Sequence, residues 1–136
     1  MNKILLVGCG HMGSALLASW YNKTSFRFGV IDPKNYKHIK KKYSKKVSTF
    51  KTIEAVPNIN KYNIIIFAIK PQIAEKVIKR FAKYKYKKNV LFISIIAGKK
   101  ISFFKNLLPF NNQFIRVMPN MPALVKEAVS CLVTDK

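Results

Sequence analysis

Acidic residues are scarce in this chain of 136 residues. Five aspartates and glutamates stand against 26 lysines and arginines, which gives a formal net charge of +21. Such a charge predicts attraction to polyanions, and nucleic acid is the first candidate. However, nearly all the basic residues are lysine, and arginine is the residue that makes bidentate contacts to bases and phosphates. The many lysines, isoleucines and asparagines indicate a coding bias instead, so we expect weak, salt-sensitive binding and no specific nucleic-acid partner.

Cysteine is also rare, and the sequence lacks the usual signs of a metal site or a catalytic constellation. Cys9 and Cys131 have neither metal-ligand spacing nor a disulfide framework, and we interpret both as packed side chains. Paired carboxylates and a nucleophile beside a base are missing too, so no catalytic residue and no metal ligand is predicted. No apolar run approaches the roughly 18–20 residues of a membrane span. The N-terminus has no signal-peptide pattern, and we expect a cytoplasmic protein without a membrane partner.

Short apolar runs alternate with stretches of helical periodicity along the whole chain. Continuous runs such as KILLV are typical of strands buried on both faces of a parallel sheet. Strands are predicted over residues 3–7, 26–31, 46–50, 62–69, 90–96 and 114–118, with 129–134 as a further candidate. The pattern predicts a single dinucleotide-binding domain over residues 1–136. Its fold class is α/β, a Rossmann-type, doubly wound, mostly parallel sheet with helices on both faces.

Helical segments lie between these strands. The first follows the glycines near position 10, and the lysine-rich stretch 34–46 is expected to form a short solvated helix and a loop. A third begins at Pro71, because proline suits the first position of a helix. The apolar stripe of this helix comprises Ile73, Val77, Ile78 and Phe81. A fourth helix passes through Ile101 and is stopped by Pro109.

The first strand ends in GCGHMG, which gives Gly8, Gly10 and Gly13 the G-x-G-x-x-G spacing. That spacing alone is a weak signal, but after a buried strand and before a helix it indicates dinucleotide binding. Gly8 permits the tight turn, Gly10 lets the backbone approach a pyrophosphate, and Gly13 lets the helix pack on the strand. Backbone N–H groups around His11 and Met12 would then face the phosphates at the start of the helix.

Asp32 ends the second strand, 19 residues after Gly13. A carboxylate at this place can accept hydrogen bonds from both ribose hydroxyls of the adenosine, which favours NAD over NADP. Lys34 is near enough in sequence to offset the repulsion of a 2′-phosphate, and an aspartate before proline can also be a plain turn residue. His11 is interpreted as a hydrogen-bond donor or packing residue rather than a base, and His38 as solvated.

Four motifs occur in order along the chain: GCGHMG, FAIKPQ (67–72), SIIAG (94–98) and IRVMPNMPALV (115–125). In order and spacing they resemble the motifs of pyrroline-5-carboxylate reductases, over essentially the whole chain. AIKPQ together with RVMPN-x-PA is much more specific than the glycine motif. The resemblance implies NAD(P)H-dependent reduction of 1-pyrroline-5-carboxylate to L-proline, the last step of proline biosynthesis.

The resemblance also implies a set of cofactor-binding residues. The pyrophosphate turn, the adenosine ribose, the loops after the fourth and fifth strands and the nicotinamide would be contacted by Gly8, Cys9, Gly10, His11, Met12, Gly13, Asp32, Ala68, Lys70, Pro71, Ala97, Gly98 and Asn120. The physical expectation agrees, because ligands of doubly wound sheets bind beyond the carboxyl ends of the strands.

The sequence departs from the family in two respects. Met121 stands where the family usually has threonine, and Lys126, Glu127 and Ala128 stand where the family commonly has glycine. We also expect this chain to lack the family's helical, dimer-forming C-terminal domain. Family members are homo-oligomers, whereas this chain is expected to be monomeric, to bind cofactor, and to turn over poorly or not at all by itself. The alternatives are a truncated or regulatory nucleotide-binding module without reductase activity and, less favoured, a basic nucleic-acid-binding protein.

Overall fold

The computed structural model describes residues 2–23, 25–110, 112–119 and 130–134. Its strands are β1 (Lys3–Val7), β2 (Arg27–Ile31), β3 (Val47–Phe50), β4 (Ile64–Phe67), β5 (Leu91–Ser94), β6 (Phe114–Pro119) and β7 (Ser130–Thr134). Its α-helices are α1 (His11–Tyr21), α2 (Tyr36–Lys42), α3 (Pro71–Phe81) and α4 (Ile101–Leu107). Two short 3-10 helices, Ile53–Ala55 and Ile59–Lys61, connect β3 to β4.

The described strands form one sheet in the order β3-β2-β1-β4-β5-β6-β7. The pairs from β3 through β6 are parallel, and β7 runs antiparallel to β6. This confirms the predicted Rossmann-type fold, including the seventh strand. The chain order reverses direction at β1, because β2 lies on one side of it and β4 on the other. A crevice opens at such a switch point, beyond the carboxyl ends of the strands.

The register brings three strand ends to the same level. Val7, the last residue of β1, pairs with Ile31 of β2 on one side and with Phe67 of β4 on the other. The segments that follow these three residues therefore leave the sheet side by side. Predicted strands 62–69 and 90–96 extend beyond the observed β4 and β5, since the residues after Phe67 turn away around the first glycine of the β1–α1 turn.

Alternate residues of the strands face two separate apolar cores. Leu5 and Val7 of β1 pack in a core that α3 and α4 cover, whereas Ile4 and Leu6 point into a core that α1 and α2 cover. This alternation follows from the two-residue period of a strand. Because both faces are covered, the central strands β1 and β4 are almost entirely apolar, which explains the continuous runs seen in the sequence.

The predicted apolar stripe of α3 is wrong at one position. The side chain of Ile73 is 47% exposed, whereas Ala74, Ile78 and Phe81 are buried against the sheet. Ala74 lies four residues before Ile78, so those two share one face of the helix, and Ile73 is rotated away from it. Among the described residues no helix has the length and apolar character needed to cross a membrane.

Candidate functional site

The turn between β1 and α1 can only be built with glycine at two of its positions. Gly8 has a φ of +93°, in the region that other residues rarely adopt, and a Cβ there would lie 2.6 Å from the Ala68 carbonyl oxygen. A Cβ on Gly13 would collide with the carbonyl oxygen of Gly8. The first helix and the loop after β4 therefore both press against this turn. This contact brings GCGHMG together with the start of AIKPQ.

Gly10 differs from its two neighbours in the motif. A Cβ built on Gly10 would meet nothing within 4 Å, so the space in front of this residue is open. Gly10 is also the N-cap of α1, and no side chain caps the helix there. The first N–H groups of a helix have no partner inside it. The open space thus adjoins donors and the positive end of a helix dipole, which fits a phosphate group of a dinucleotide.

A cleft of about 510 Å³ begins at this open space. One wall comes from the glycine turn and the first turns of α1, the other from the β2–α2 connection and the exposed side of α2. Its described lining residues are Cys9, Gly10, His11, Ser14, Ala15, Asn35, His38, Ile39, Lys42 and Tyr43. The cleft lies where the adenosine half of a dinucleotide binds in Rossmann folds. A smaller cleft, of about 140 Å³, lies at the opposite ends of the strands and involves none of the motifs.

Asp32 lies between the two walls and is bound into the protein. Its side chain is 7% exposed. Oδ2 accepts the backbone N–H of Cys9 at 2.8 Å and the side-chain amide of Asn35 at 3.3 Å. Oδ1 accepts the backbone N–H groups of Lys34, at 2.9 Å, and Asn35, at 2.8 Å. An ionised carboxylate has about four acceptor positions, so protein donors occupy them all. Its role as a ribose ligand stays a prediction.

Asn35 links the two walls of the cleft directly. Its side-chain amide donates to the carbonyl oxygen of Cys9 at 3.3 Å as well as to Asp32. It is also the N-cap of α2. A small, partly buried network of hydrogen bonds therefore fixes the position of α2, and of the residues that α2 contributes to the cleft, relative to the glycine turn.

The described lining of the cleft carries basic side chains and no acidic one. The basic residues are His11, His38 and Lys42. Of the other acidic side chains in the described ranges, Glu54 pairs with Arg80 and Glu75 with Lys79, both through α3 on the opposite face of the sheet. Such a one-sided distribution concentrates anions at the cleft.

The thiol of Cys9 is not activated as a nucleophile, although it lies in the glycine turn. Burial and the nearby Asp32 carboxylate raise the pKa of its thiol to about 11, while the positive charge of Lys42 opposes them. Cys9 and Lys42 both line the cleft. The backbone of Cys9 is bound within the protein, since its N–H donates to Asp32 and its carbonyl accepts from Asn35.

The remaining predicted residues lie at the same edge of the sheet. Lys70 is the exposed N-cap of α3, and Pro71 occupies the first position of that helix, as predicted. Ala97 and Gly98 are exposed in the turn after β5, two strands from β1, and Gly98 has a φ of +71°. Asn120, predicted to lie near the nicotinamide, is outside the described residues, as is Met121.

Sequence reasoning missed part of the cleft wall. The sequence places Asn35, His38 and Lys42 in a solvated lysine-rich stretch and Ser14 in the first helix, and it indicates no ligand for any of them. The spacing of His38 and Lys42, four residues apart around the buried Ile39, places both on one side of α2. That spacing was a usable signal, but the direction in which this side faces depends on how α2 packs.

The comparisons with known proteins agree with this arrangement. Residues 3–98 match the model of the family described as NADP oxidoreductase coenzyme F420-dependent. Over 98% of its length the chain is 30% identical to a pyrroline-5-carboxylate reductase of Methanosarcina acetivorans, and over 97% it is 26% identical to one of Schizosaccharomyces pombe. The chain covers 50% and 52% of these relatives, so it spans about half of their length.

Solved structures show the same similarity. A crystal structure of pyrroline carboxylate reductase from Plasmodium falciparum with NADP bound superposes with a TM-score of 0.78 at 27% identity, covering 99% of this chain and 48% of that one. A reductase from Streptococcus pyogenes gives the same TM-score at 23% identity, which supports the fold. These matches confirm the resemblance that the four motifs indicated.

Proposed function

Because this chain belongs to the NADP oxidoreductase family described by that model, we propose that it supplies the cofactor-binding part of a reductase that converts 1-pyrroline-5-carboxylate to L-proline with NAD(P)H. The activity and substrate belong to whole proteins of which the chain spans about half, and they are part of the proposal. One observation carries it: the glycine turn and the AIKPQ loop pack against each other at the switch point of the sheet.

The residues that would hold the pyrophosphate are the backbone groups from Gly8 to Gly13. The open space at Gly10 admits the phosphates, and the N–H groups at the start of α1 donate to them. His11 and Met12 contribute through their N–H groups at the start of α1, whereas Cys9 shapes the turn, because its own N–H already donates to Asp32. The turn thus fixes the middle of the cofactor without needing a charged side chain.

The nicotinamide half would extend along the edge of the sheet toward β5. Ala68, Lys70 and Pro71 line its path after β4, and Ala97 and Gly98 do so after β5. Small residues at the two loops leave room for the ring, and the exposed ammonium of Lys70 is free to reach a phosphate or the carboxamide. When bound, NAD(P)H supplies the hydride that reduces the imine carbon of the substrate. This chain contributes orientation rather than acid–base chemistry.

A two-part experiment tests the proposal. First, NADPH and NADH are titrated separately into the purified chain, and we expect saturable binding of at least one. Second, the chain is fused to the half of the Methanosarcina acetivorans reductase that it does not cover. The fusion protein should form proline from 1-pyrroline-5-carboxylate as NAD(P)H is consumed.

The two parts fail in different ways. If neither cofactor binds to the folded chain, the cofactor-binding role is wrong. If the fusion protein is folded and binds cofactor but forms no proline, the reductase assignment is wrong while cofactor binding stands. The same fusion made with the glycine turn of the relative serves as the positive control.

A further inference from the structure

Resting on the cofactor role proposed above, we infer that this chain selects NADPH over NADH: His38 and Lys42 of α2 hold the 2′-phosphate, and Asp32 braces the turn instead of binding the ribose hydroxyls. The inference reverses the preference for NAD that the position of Asp32 suggests in the sequence. It assigns specificity to residues of the lysine-rich stretch.

The first argument is the saturation of Asp32. A carboxylate that selects NAD must offer both oxygens to the two ribose hydroxyls. In this protein the oxygens already accept four hydrogen bonds, two of them from consecutive backbone N–H groups at 2.9 and 2.8 Å. Binding a ribose diol would require some of these donors to lose their partner, and the cost is highest for the N–H of Cys9, whose bond to Asp32 is buried.

The second argument is what lines the cleft beyond Asp32. His38 and Lys42 are one helical turn apart on α2 and face the same cleft as Gly10 and Ser14. A dinucleotide whose pyrophosphate lies at Gly10 places its adenosine ribose toward α2, at the end of β2. A histidine and a lysine are therefore available where the 2′ substituent lies, and both can donate to phosphate oxygens.

The third argument is the absence of a competing anion. Lys42 and Lys34 both lie at this side of the sheet, and in the described ranges the carboxylates other than Asp32 lie on the opposite face. A ribose with free hydroxyls gains nothing from these cations, whereas a phosphate dianion does. The geometry therefore distinguishes the two cofactors at the 2′ position only.

The experiment measures binding, so it does not depend on turnover. Dissociation constants are determined for NADPH, NADH, adenosine 2′,5′-bisphosphate and AMP on the native chain and on Lys42→Gln and His38→Asn. We expect the two ligands with a 2′-phosphate to bind more tightly than their counterparts. Loss of one exposed charge pair is expected to weaken NADPH about fivefold and NADH less than twofold. Salt should weaken NADPH more steeply than NADH.

Lys40→Gln is the matched control, because Lys40 is an exposed lysine of the same helix that does not line the cleft. It removes the same net charge and should leave the ratio of the two affinities unchanged. If NADH binds as tightly as NADPH, or if Lys42→Gln and Lys40→Gln weaken both cofactors equally, the inference is overturned. In that case measurable NADH binding leaves the cofactor role intact, whereas the loss of all binding would overturn both.

Discussion

The carboxylate of Asp32 accepts the backbone N–H of Cys9 at 2.8 Å, across 23 residues of sequence. This bond joins the segment that leaves β1 to the segment that leaves β2, at the edge where the cofactor is proposed to bind. The Asn35 side chain closes the same junction by donating to both partners. Asp32, which the sequence predicts as a ligand contact, thus connects the two walls of the cleft through hydrogen bonds.

Asp32→Asn should destabilise the protein. The new amide group would turn a donor toward N–H groups that now donate to the carboxylate, and a buried unsatisfied donor costs about 1–3 kcal/mol. Denaturant unfolding followed by circular dichroism measures the change in the free energy of unfolding. Glu75→Gln, which alters an exposed carboxylate paired with Lys79 on α3, should change it little. Equal stability of the native chain and Asp32→Asn would contradict the bracing role.

The protein should lose stability in alkaline solution. Burial raises the pKa of Cys9 from 9.0 to about 11 and that of Tyr62 from 10.0 to about 12. Burial also raises the pKa of Tyr86, whose hydroxyl donates to the Phe81 carbonyl at 2.9 Å. Between the unfolded and folded pKa values the unfolded chain holds fewer protons, so the free energy of unfolding falls as the pH rises.

The pH range over which stability is lost follows from the pKa values of these groups. The free energy of unfolding should be nearly flat up to about pH 9 and fall progressively toward pH 12. Denaturant unfolding at a series of pH values measures it. Tyr62→Phe should make the fall between pH 10 and 12 shallower, because one titrating group is removed. A free energy that stays constant to pH 12 would show that these side chains are not buried as described.

Ile73 and Ile78 of α3 should respond differently to truncation. Ile78 is fully buried in the core between α3 and the sheet, so Ile78→Ala is expected to cost about 2–5 kcal/mol in the free energy of unfolding. Ile73 is about half exposed, so Ile73→Ala should cost less than about 1 kcal/mol. Thermal unfolding of the two variants compares them. A larger loss for Ile73→Ala would restore the stripe predicted from the sequence.

The strands were predictable because burial on both faces gives a continuous apolar run that few other structures produce. β1 was predicted with the bounds observed, since the apolar run ends where the glycine turn begins. The stripe of α3 was mispredicted because apolar spacing alone does not say which of two neighbouring faces packs. Ala74 is fully buried against the sheet, whereas its neighbour Ile73 is about half exposed.

The site was predictable where function depends on backbone. Gly8 and Gly13 are fixed by steric contact, and the sequence marks that requirement directly. The role of a polar side chain depends on its partners, and the partners of Asp32 come from residues 9, 34 and 35, which only the folded chain brings together. For the same reason the positive charge of the lysine-rich stretch could be predicted from the sequence. The cleft that His38 and Lys42 line could not, because it forms only when α2 packs beside the glycine turn.

Substitutions of two glycines in the first turn should affect cofactor binding and protein stability differently. Gly10→Ala adds a methyl group into open space at an ordinary φ of −78°, so the free energy of unfolding should change by less than about 0.5 kcal/mol. The same methyl group occupies the place where the pyrophosphate is proposed to approach the backbone, so cofactor affinity should fall at least tenfold, about 1.4 kcal/mol. Isothermal titration calorimetry with NADPH and denaturant unfolding measure the two quantities.

Gly13→Ala is the contrasting variant. Its methyl group would be forced into the Gly8 carbonyl, a backbone atom that cannot move without shifting α1 or β1, and overpacking of this kind costs about 1–3 kcal/mol. Binding should fall as well, because the turn itself is displaced. The two variants are compared with each other. If Gly10→Ala binds cofactor more weakly but is as stable as the native chain, a ligand binds at the turn. If Gly10→Ala binds NADPH as well as the native chain does, the pyrophosphate does not approach this glycine. The glycines of the motif would then serve only the packing of α1 against the sheet.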